Sequence, residues 1–381
     1  MCDAQSAAPD LPAPYPAPVT SRMRRPTSAD VAERAGVSRA TVSMVLNDRV
    51  KGTVAEPTRR RVLEAAEELG YTRSAVALSL KQRRTHTIGL ITDEIATSPW
   101  AGRMVRAASG LAARHGYMML TMDLSLRDTS VADAVRLLSE RQVDGLIYAT
   151  MGRLLVPVPK VPAERPLVML NCEPRARDDS PGDLRAFLPD DRGGARRAAR
   201  RLLETGHRRI VMLSGGDGSE ADREREAGFR GELDADGVRP RVFRTGWQMD
   251  DGYRMTSRLL EEDEPPTALF CIRDRVAAGA IHAAASAGVE VPQQLSVIGF
   301  DDEDFFAETL TPPLTTIALP HEQMGERAVS ALLAQIEPDV GPIADIPDGW
   351  RVLSACPLVE RASVAKAPAR GTAGMVTDLR R

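Results

Sequence analysis

From Thr87 to about residue 300, short apolar runs alternate with longer amphipathic stretches, and this rhythm limits the fold more than any other feature of the 381-residue chain. The runs at 88–91, 118–122, 145–148, 167–170, 210–213, 268–272 and 297–300 are nearly continuous in apolar residues, as strands buried on both faces must be. Between them, 105–115, 132–141, 195–205 and 277–287 carry helical spacing. Such alternation predicts parallel sheets covered by helices on both sides, with ligands bound beyond the carboxyl ends of the strands. The length exceeds what one hydrophobic core organises, so a small domain joined to a larger two-lobed α/β domain is the expected division.

Composition narrows the class. Apolar residues make up 43% and charged residues 27%, and no apolar run approaches the roughly 18 residues that span a membrane. Cys2, Cys172, Cys271 and Cys356 stand far apart, and the five histidines show no metal-ligand spacing. Free thiols in a reducing cytoplasm, with neither metal nor redox cofactor, are the expectation. The net charge of −3 hides an asymmetry: residues 20–86 carry 14 basic and 7 acidic side chains, which is +7, and leave −10 for the rest. A basic head on an acidic body predicts that the head alone meets a polyanion, although a solvated basic surface has the same composition. Residues 1–24 form a proline-rich arm that cannot bury a core and is expected to be disordered. Translation from Met1 and from Met23, just before the first folded segment, both stay open. The arm has no basic start followed by an apolar stretch, so no export signal is read there.

Within 25–72 the apolar spacing is helical in three bursts. Thr27 caps a helix over 28–35, and Gly36 ends it. Ser38 caps a second helix over 39–47, whose Val42, Val45 and Leu46 form one apolar side while Arg39, Ala40, Thr41 and Ser43 face outward. A third begins near Glu56-Pro57 and adds Val62, Ala65, Ala66 and Leu69, with Arg59, Arg60 and Arg61 turned toward solvent or phosphate. This is the pattern of a helix-turn-helix with short polar and basic groups at the start of its second helix.

The string Asp30-Val31-Ala32, Ala35-Gly36-Val37-Ser38, Thr41-Val42-Ser43 and Val45-Leu46-Asn47 resembles the signature of the lactose-repressor/galactose-repressor family of bacterial transcription regulators. The resemblance continues through Ala65-Ala66-Glu67-Glu68-Leu69-Gly70-Tyr71 and on to about Val364. It implies an operator-binding domain over 25–72, a hinge helix and linker over 73–86, a two-lobed periplasmic-binding-protein-like domain with parallel sheets over 87–364, and a flexible tail over 365–381. It further implies that Arg39 and Ala40 read base edges, with Thr27, Ser38, Thr41, Ser43, Met44 and Asn47 around them. Arg39 bonded to guanine and Arg39 bonded only to phosphate both stay open. In the hinge, Arg73-Ser74 stands where the family usually has proline-asparagine, Ser74 can still cap the helix, and Ala77 and Leu80 share one face. By resemblance Leu80 is a wedge pressed into the minor groove; an ordinary core leucine is the alternative.

For the body the resemblance implies crossovers near 189 and 319 and an effector pocket mapped onto Asn171, Arg225, Trp247, Arg273, Asp274 and Asp301, with Asp93 and Trp100 at the mouth or in surface loops. Carboxylates, a guanidinium fork and an indole face suit a polyhydroxylated ligand. Arg273 departs from the family's asparagine; either it pairs with Asp274, Asp301 or Asp302, or it receives an anionic effector. The expected function is a cytoplasmic, ligand-responsive repressor of carbohydrate-related genes, working as a homodimer on palindromic double-stranded DNA. A co-repressor-dependent or activating regulator is the variant reading. A solute-binding protein would need an export signal and no helix-turn-helix. An enzyme is not expected either: Gly215-Gly216-Asp217-Gly218 fits no phosphate-binding loop and reads as a turn, and no nucleophile-base-acid set is visible.

Overall fold

The computed structural model describes residues 26–46, 54–72, 79, 84–93, 101–124, 130–175, 182–216, 219–339 and 341–369. It divides into two compact units, Met1–Lys81 and Gln82–Arg381. The proline-rich arm lies outside the described residues.

The first unit contains α1 (Ser28–Ala35), α2 (Arg39–Leu46) and α3 (Glu56–Glu68). Each boundary has a local cause. The Asp30 amide donates to the Thr27 hydroxyl at 3.4 Å while the Thr27 amide donates to the Asp30 carboxylate at 2.7 Å, so two otherwise orphaned donors are satisfied reciprocally. Gly36 takes the left-handed φ of 64° that stops α1. The Thr41 amide donates to Ser38 Oγ at 3.1 Å and starts α2. Val31, Val42 and Val62, one from each helix, are fully buried, and Ala35, Val45, Ala65 and Ala66 fill the space around them.

The second unit is two parallel α/β lobes. Lobe 1 collects β1 (Thr87–Thr92), α4 (Ala101–Arg114), β2 (Met118–Asp123), α5 (Val131–Glu140), β3 (Gly145–Val156), β4 (Leu167–Pro174) and β5 (Arg185–Pro189). After Pro189 the chain crosses to lobe 2, built from α6 (Asp191–Glu204), β6 (Ile210–Ser214), α7 (Glu220–Ala235), β7 (Arg241–Arg244), α8 (Met249–Leu260), β8 (Ala268–Cys271), α9 (Asp274–Ser286), β9 (Ser296–Asp301) and β10 (Thr315–Ala318). It then returns with α10 (His321–Ile336) and β11 (Arg351–Ser354) to lobe 1, and ends with β12 (Leu358–Val359) in lobe 2. The two sheets run β11-β5-β4-β3-β1-β2 and β12-β10-β9-β8-β6-β7. All pairings are parallel except β10 with β12.

Every residue of β1 is buried, as a central strand covered on both faces requires, whereas β2 at the sheet edge is only partly covered. The expected crossovers near 189 and 319 are present, and a third, between Ser354 and Leu358, adds one strand to each sheet. Residues at the start of the expected tail are tied down: the Ala365 carbonyl lies 3.1 Å from His207 Nε2, and the Ala367 amide donates to the Thr205 carbonyl at 2.8 Å.

Helices α4 and α10 cover one face of the lobe 1 sheet through Met104, Ala108, Met324, Ala328 and Leu332. They approach so closely that a side chain on Gly325 of α10 would strike the Met104 carbonyl of α4. At its far end α10 holds the start of the lobe. Arg84 donates to the Ile336 carbonyl at 2.8 Å and pairs with Glu337 at 3.2 Å. The Tyr117 hydroxyl donates to Glu337 at 2.7 Å.

The Gly325 contact yields an expected outcome. Gly325→Val should destabilise the protein by about 1–3 kcal/mol, read as a lower urea midpoint with unchanged slope. Gly102→Ala, where nothing lies within 4 Å of the added carbon, serves as the control and should leave the midpoint in place.

Candidate functional site

The start of α2 is a small polar surface. Arg39, Ala40 and Ser43 are exposed and Thr41 and Met44 half-buried, on the side opposite the buried Val42 and Val45. Thr27 and Ser38, expected to touch DNA, have their hydroxyls in the caps of α1 and α2. Arg60 and Arg61 on α3 are exposed as well. Asn47, Ser74, Ala77 and Leu80, expected at the DNA interface and in the hinge, lie outside the described residues.

Between the two lobes lies a cleft of about 540 Å³, walled by residues 151–154, Asn171 and His321 on one side and by Asp191, Ala221, Arg225, Trp247, Arg273, Arg275 and Asp301 on the other. Its floor is a line of alternating charge, almost wholly buried. Arg153 of β3 donates to Glu173 at 2.7 and 2.9 Å and to Asp191 at 3.0 Å. Asp191, the first residue of α6 and the first turn of lobe 2, accepts with its other oxygen from Arg225 Nε at 2.8 Å. Arg225 Nη1 donates to the Ile272 carbonyl at 2.6 Å and lies 3.5 Å from Asp301, whose second oxygen is 3.3 Å from Arg273 Nε. The Arg225 guanidinium also rests 3.6 Å over the Phe300 ring. Burial opposes the charge on Arg153 and Arg225, yet their carboxylate neighbours, Asp191 above all, hold both above the ordinary arginine range. Burial pushes the Asp301 carboxyl up, against the pull of Arg225 and Arg273.

Local backbone geometry aims these groups. The register of β3 against β4 shifts between Ala149 and Leu154, and this irregularity is what carries Arg153 to the cleft. Asn171 adopts φ 56° and Asp301 φ 117°, left-handed conformations that non-glycine residues rarely take and that recur at ligand-binding positions. Asn171 spends both amide protons on the Thr150 and Met151 carbonyls, at 3.0 and 2.9 Å. Trp247 lies against Gly215, where any side chain would collide with the indole; this glycine is thus the seat of an aromatic wall.

Five of the expected pocket residues, Asn171, Arg225, Trp247, Arg273 and Asp301, therefore meet in one cleft. Asp274 does not line it. As the first residue of α9 it is fully buried, accepting from the Glu303 amide at 2.8 Å and from Thr316 at 2.5 Å, and burial followed by repulsion from Asp301 raises its pKa well above the usual carboxylate range. Asp93 stands behind the wall and accepts from the Met151 amide at 2.7 Å, and Trp100 lies outside the described residues. Of the two readings of Arg273, pairing with Asp301 is the one seen. Sequence reasoning missed Arg153, Asp191 and His321. The available signals were a lone arginine inside the apolar stretch after Gly145, and an acid and a histidine beside the two expected crossovers.

Among the described residues, no group of His, Cys, Asp or Glu is arranged to hold a metal ion, and no helix is long and apolar enough to cross a membrane. Residues 27–74 match the family described as bacterial regulatory proteins, lacI family, and residues 199–364 match the periplasmic binding protein-like domain. The HTH-type transcriptional repressor PurR of Aliivibrio fischeri is 33% identical over 322 residues, 82% of this chain and 92% of that protein. The Lac repressor dimer bound to operator and the anti-inducer ONPF aligns with a TM-score of 0.71 at 27% identity, over 90% of this chain and 100% of that one. The transcriptional regulator CelR in complex with cellobiose aligns with a TM-score of 0.60 at 28% identity, over 89% and 100%.

The buried charges set a second expected outcome. Arg153→Met strips one guanidinium from two buried carboxylates and should cost about 3–5 kcal/mol in urea unfolding. Arg136→Met, which removes an exposed pair with Glu140, should cost below about 1 kcal/mol. Equal losses would mean that the buried line contributes no more than a surface ion pair.

Proposed function

Because this chain belongs to the lacI family of bacterial regulatory proteins, we propose that it is a cytoplasmic repressor of carbohydrate-related genes. In this reading a homodimer grips a palindromic operator, and a sugar or sugar derivative bound between the lobes changes that grip. The relatives it matches are DNA-binding transcription regulators, not enzymes.

The observation that supports a neutral, polyhydroxylated effector is charge matching inside the cleft. Arg153 faces Glu173 and Asp191, Arg225 faces Asp191 and Asp301, Arg273 faces Asp301, and Arg275 donates two hydrogen bonds to the Glu303 carboxylate at 2.7 and 3.0 Å. An anionic ligand would have to compete with carboxylates already seated on these guanidiniums. A sugar needs only donors and acceptors at the edge of such pairs and a flat apolar face, which Trp247 supplies. The cleft volume suits a small ligand, since such sites commonly span about 300–1,000 Å³. The cellobiose complex of CelR supports the same class by analogy.

On the DNA side, Arg39 stands exposed at the head of α2, where a guanidinium fork can meet a guanine edge. The ligand changes operator affinity only by the difference between its affinities for the two lobe arrangements.

Two measurements test this reading. Once footprinting has located the operator, Arg39→Ala should cost about 1–3 kcal/mol and relax preference at one base position; uniform weakening across all operator variants would assign Arg39 to phosphate instead. In thermal-shift assays, D-ribose or cellobiose should raise the Tm while their phosphorylated or acidic analogues do not, and Trp247→Ala should abolish the shift. Stabilisation by the charged analogues alone would overturn the sugar assignment.

A further inference from the structure

Among the buried side-chain nitrogen and oxygen atoms that line the cleft, His321 Nδ1 has neither a hydrogen bond nor an ion pair, whereas Arg273 Nε faces the Asp301 carboxylate at 3.3 Å. His321 opens α10 immediately after the crossover at Leu319-Pro320, lines the cleft and is 4% exposed, and its Nδ1 is buried with no hydrogen-bond partner. By contrast Asn171, Arg153 and Arg225 each engage two or more protein groups. A buried polar atom left unpaired costs about 1–3 kcal/mol, and proteins retain such an atom where another state of the molecule supplies the partner. Burial pushes the imidazole pKa down to about 4, helped by the charges of Arg103 in lobe 1 and Arg225 in lobe 2. The ring at neutral pH is thus uncharged, with one nitrogen donating and the other accepting. A hydroxyl or an amide can serve either nitrogen. A carboxylate or phosphate can serve only the one that carries the proton, and a cation neither in comfort beside two guanidiniums.

We propose that His321 is a specificity residue of the effector cleft, and that its ring hydrogen-bonds an uncharged hydroxyl or amide group of the bound effector. This rests on the reading of the cleft as the effector site, and it adds the chemistry required at the crossover end: a neutral hydrogen-bonding group placed within reach of α10. It also separates the two walls by task. Trp247 and Asp301 of lobe 2 accept a flat ring and its hydroxyls, and His321 tests the opposite edge from the junction of the lobes.

The test compares the full-length chain with His321→Phe, which keeps a ring of similar size and removes its nitrogens, and with His321→Gln, which restores a neutral donor and acceptor. Without ligand, the Phe variant should unfold in urea at the same midpoint as the wild type or a higher one. A clearly lower midpoint would show that the ring already has a structural partner, and would overturn the proposal with no ligand involved. In calorimetric titration with whichever of D-ribose or cellobiose stabilises the wild type, the Phe variant should bind about tenfold more weakly, with part of that loss recovered in the Gln variant. Undiminished binding by the Phe variant would also overturn it. If neither sugar binds the wild type, the sugar reading of the cleft fails, and the ligand-free midpoint still decides whether His321 is an unpaired group or a structural one.

Discussion

Asp191 accepts from Arg153 with one carboxylate oxygen and from Arg225 with the other, and these two arginines belong to different lobes. An ion of this size taken out of water costs several kcal/mol even after relaxation, so a fully buried aspartate is tolerable only while both guanidiniums stay in place. The requirement spreads outward. Arg153 must also meet Glu173, which pairs with Arg351 of the last strand in lobe 1, and Arg225 must also reach toward Asp301. Strand β3 gives up regular pairing to deliver Arg153, and Asp301 accepts an unusual backbone conformation to deliver its carboxylate. Relative placement of the lobes is thus set as much by charge as by apolar contact, at the one point where the chain first crosses between them.

Such a line of charges differs from an apolar seam in how it responds. An apolar contact weakens gradually as it is separated, whereas a buried ion loses its compensation over the length of one hydrogen bond. Two lobes joined in this way favour a small number of discrete arrangements over a continuum, which is the property a ligand-operated switch needs. Asp301 is the least buried carboxylate within that line.

Much of the architecture was legible because its signals are local. The runs at 88–91, 118–122, 210–213 and 297–300 became β1, β2, β6 and β9 with ends shifted by at most one residue. The caps at Thr27 and Ser38 and the stop at Gly36 act within four residues of sequence. Strands β5, β7, β10, β11 and β12 gave no such signal: Arg241–Arg244 is an edge strand with an arginine at each end, and Leu358–Val359 has only two residues. The cleft was legible in part for the same reason. Asp301, the last residue of β9, and Asn171, just after the apolar run 167–170, follow from topology and from the family resemblance. Arg153 depends on an irregularity in strand pairing, and His321 on a crossover whose direction only the folded chain reveals. Asp274 was misplaced because adjacency to Arg273 says nothing about side: at the start of α9 one residue faces the cleft and the next faces the lobe interior.

Helix α10 begins with His321 at the cleft and ends at the Ile336 carbonyl and Glu337, where Arg84 and the Tyr117 hydroxyl are fastened. Sixteen residues at a rise of 1.5 Å make a rod of roughly 24 Å. A helix packed along its length transmits axial displacement with little loss, because its backbone bonds are stiff compared with the contacts at its tips. Arg84 is the clasp by which lobe 1 holds the strand of chain that leads back to the first unit. Any movement of the head of this rod is therefore felt at its foot, where Arg84 and the Tyr117 hydroxyl are fastened.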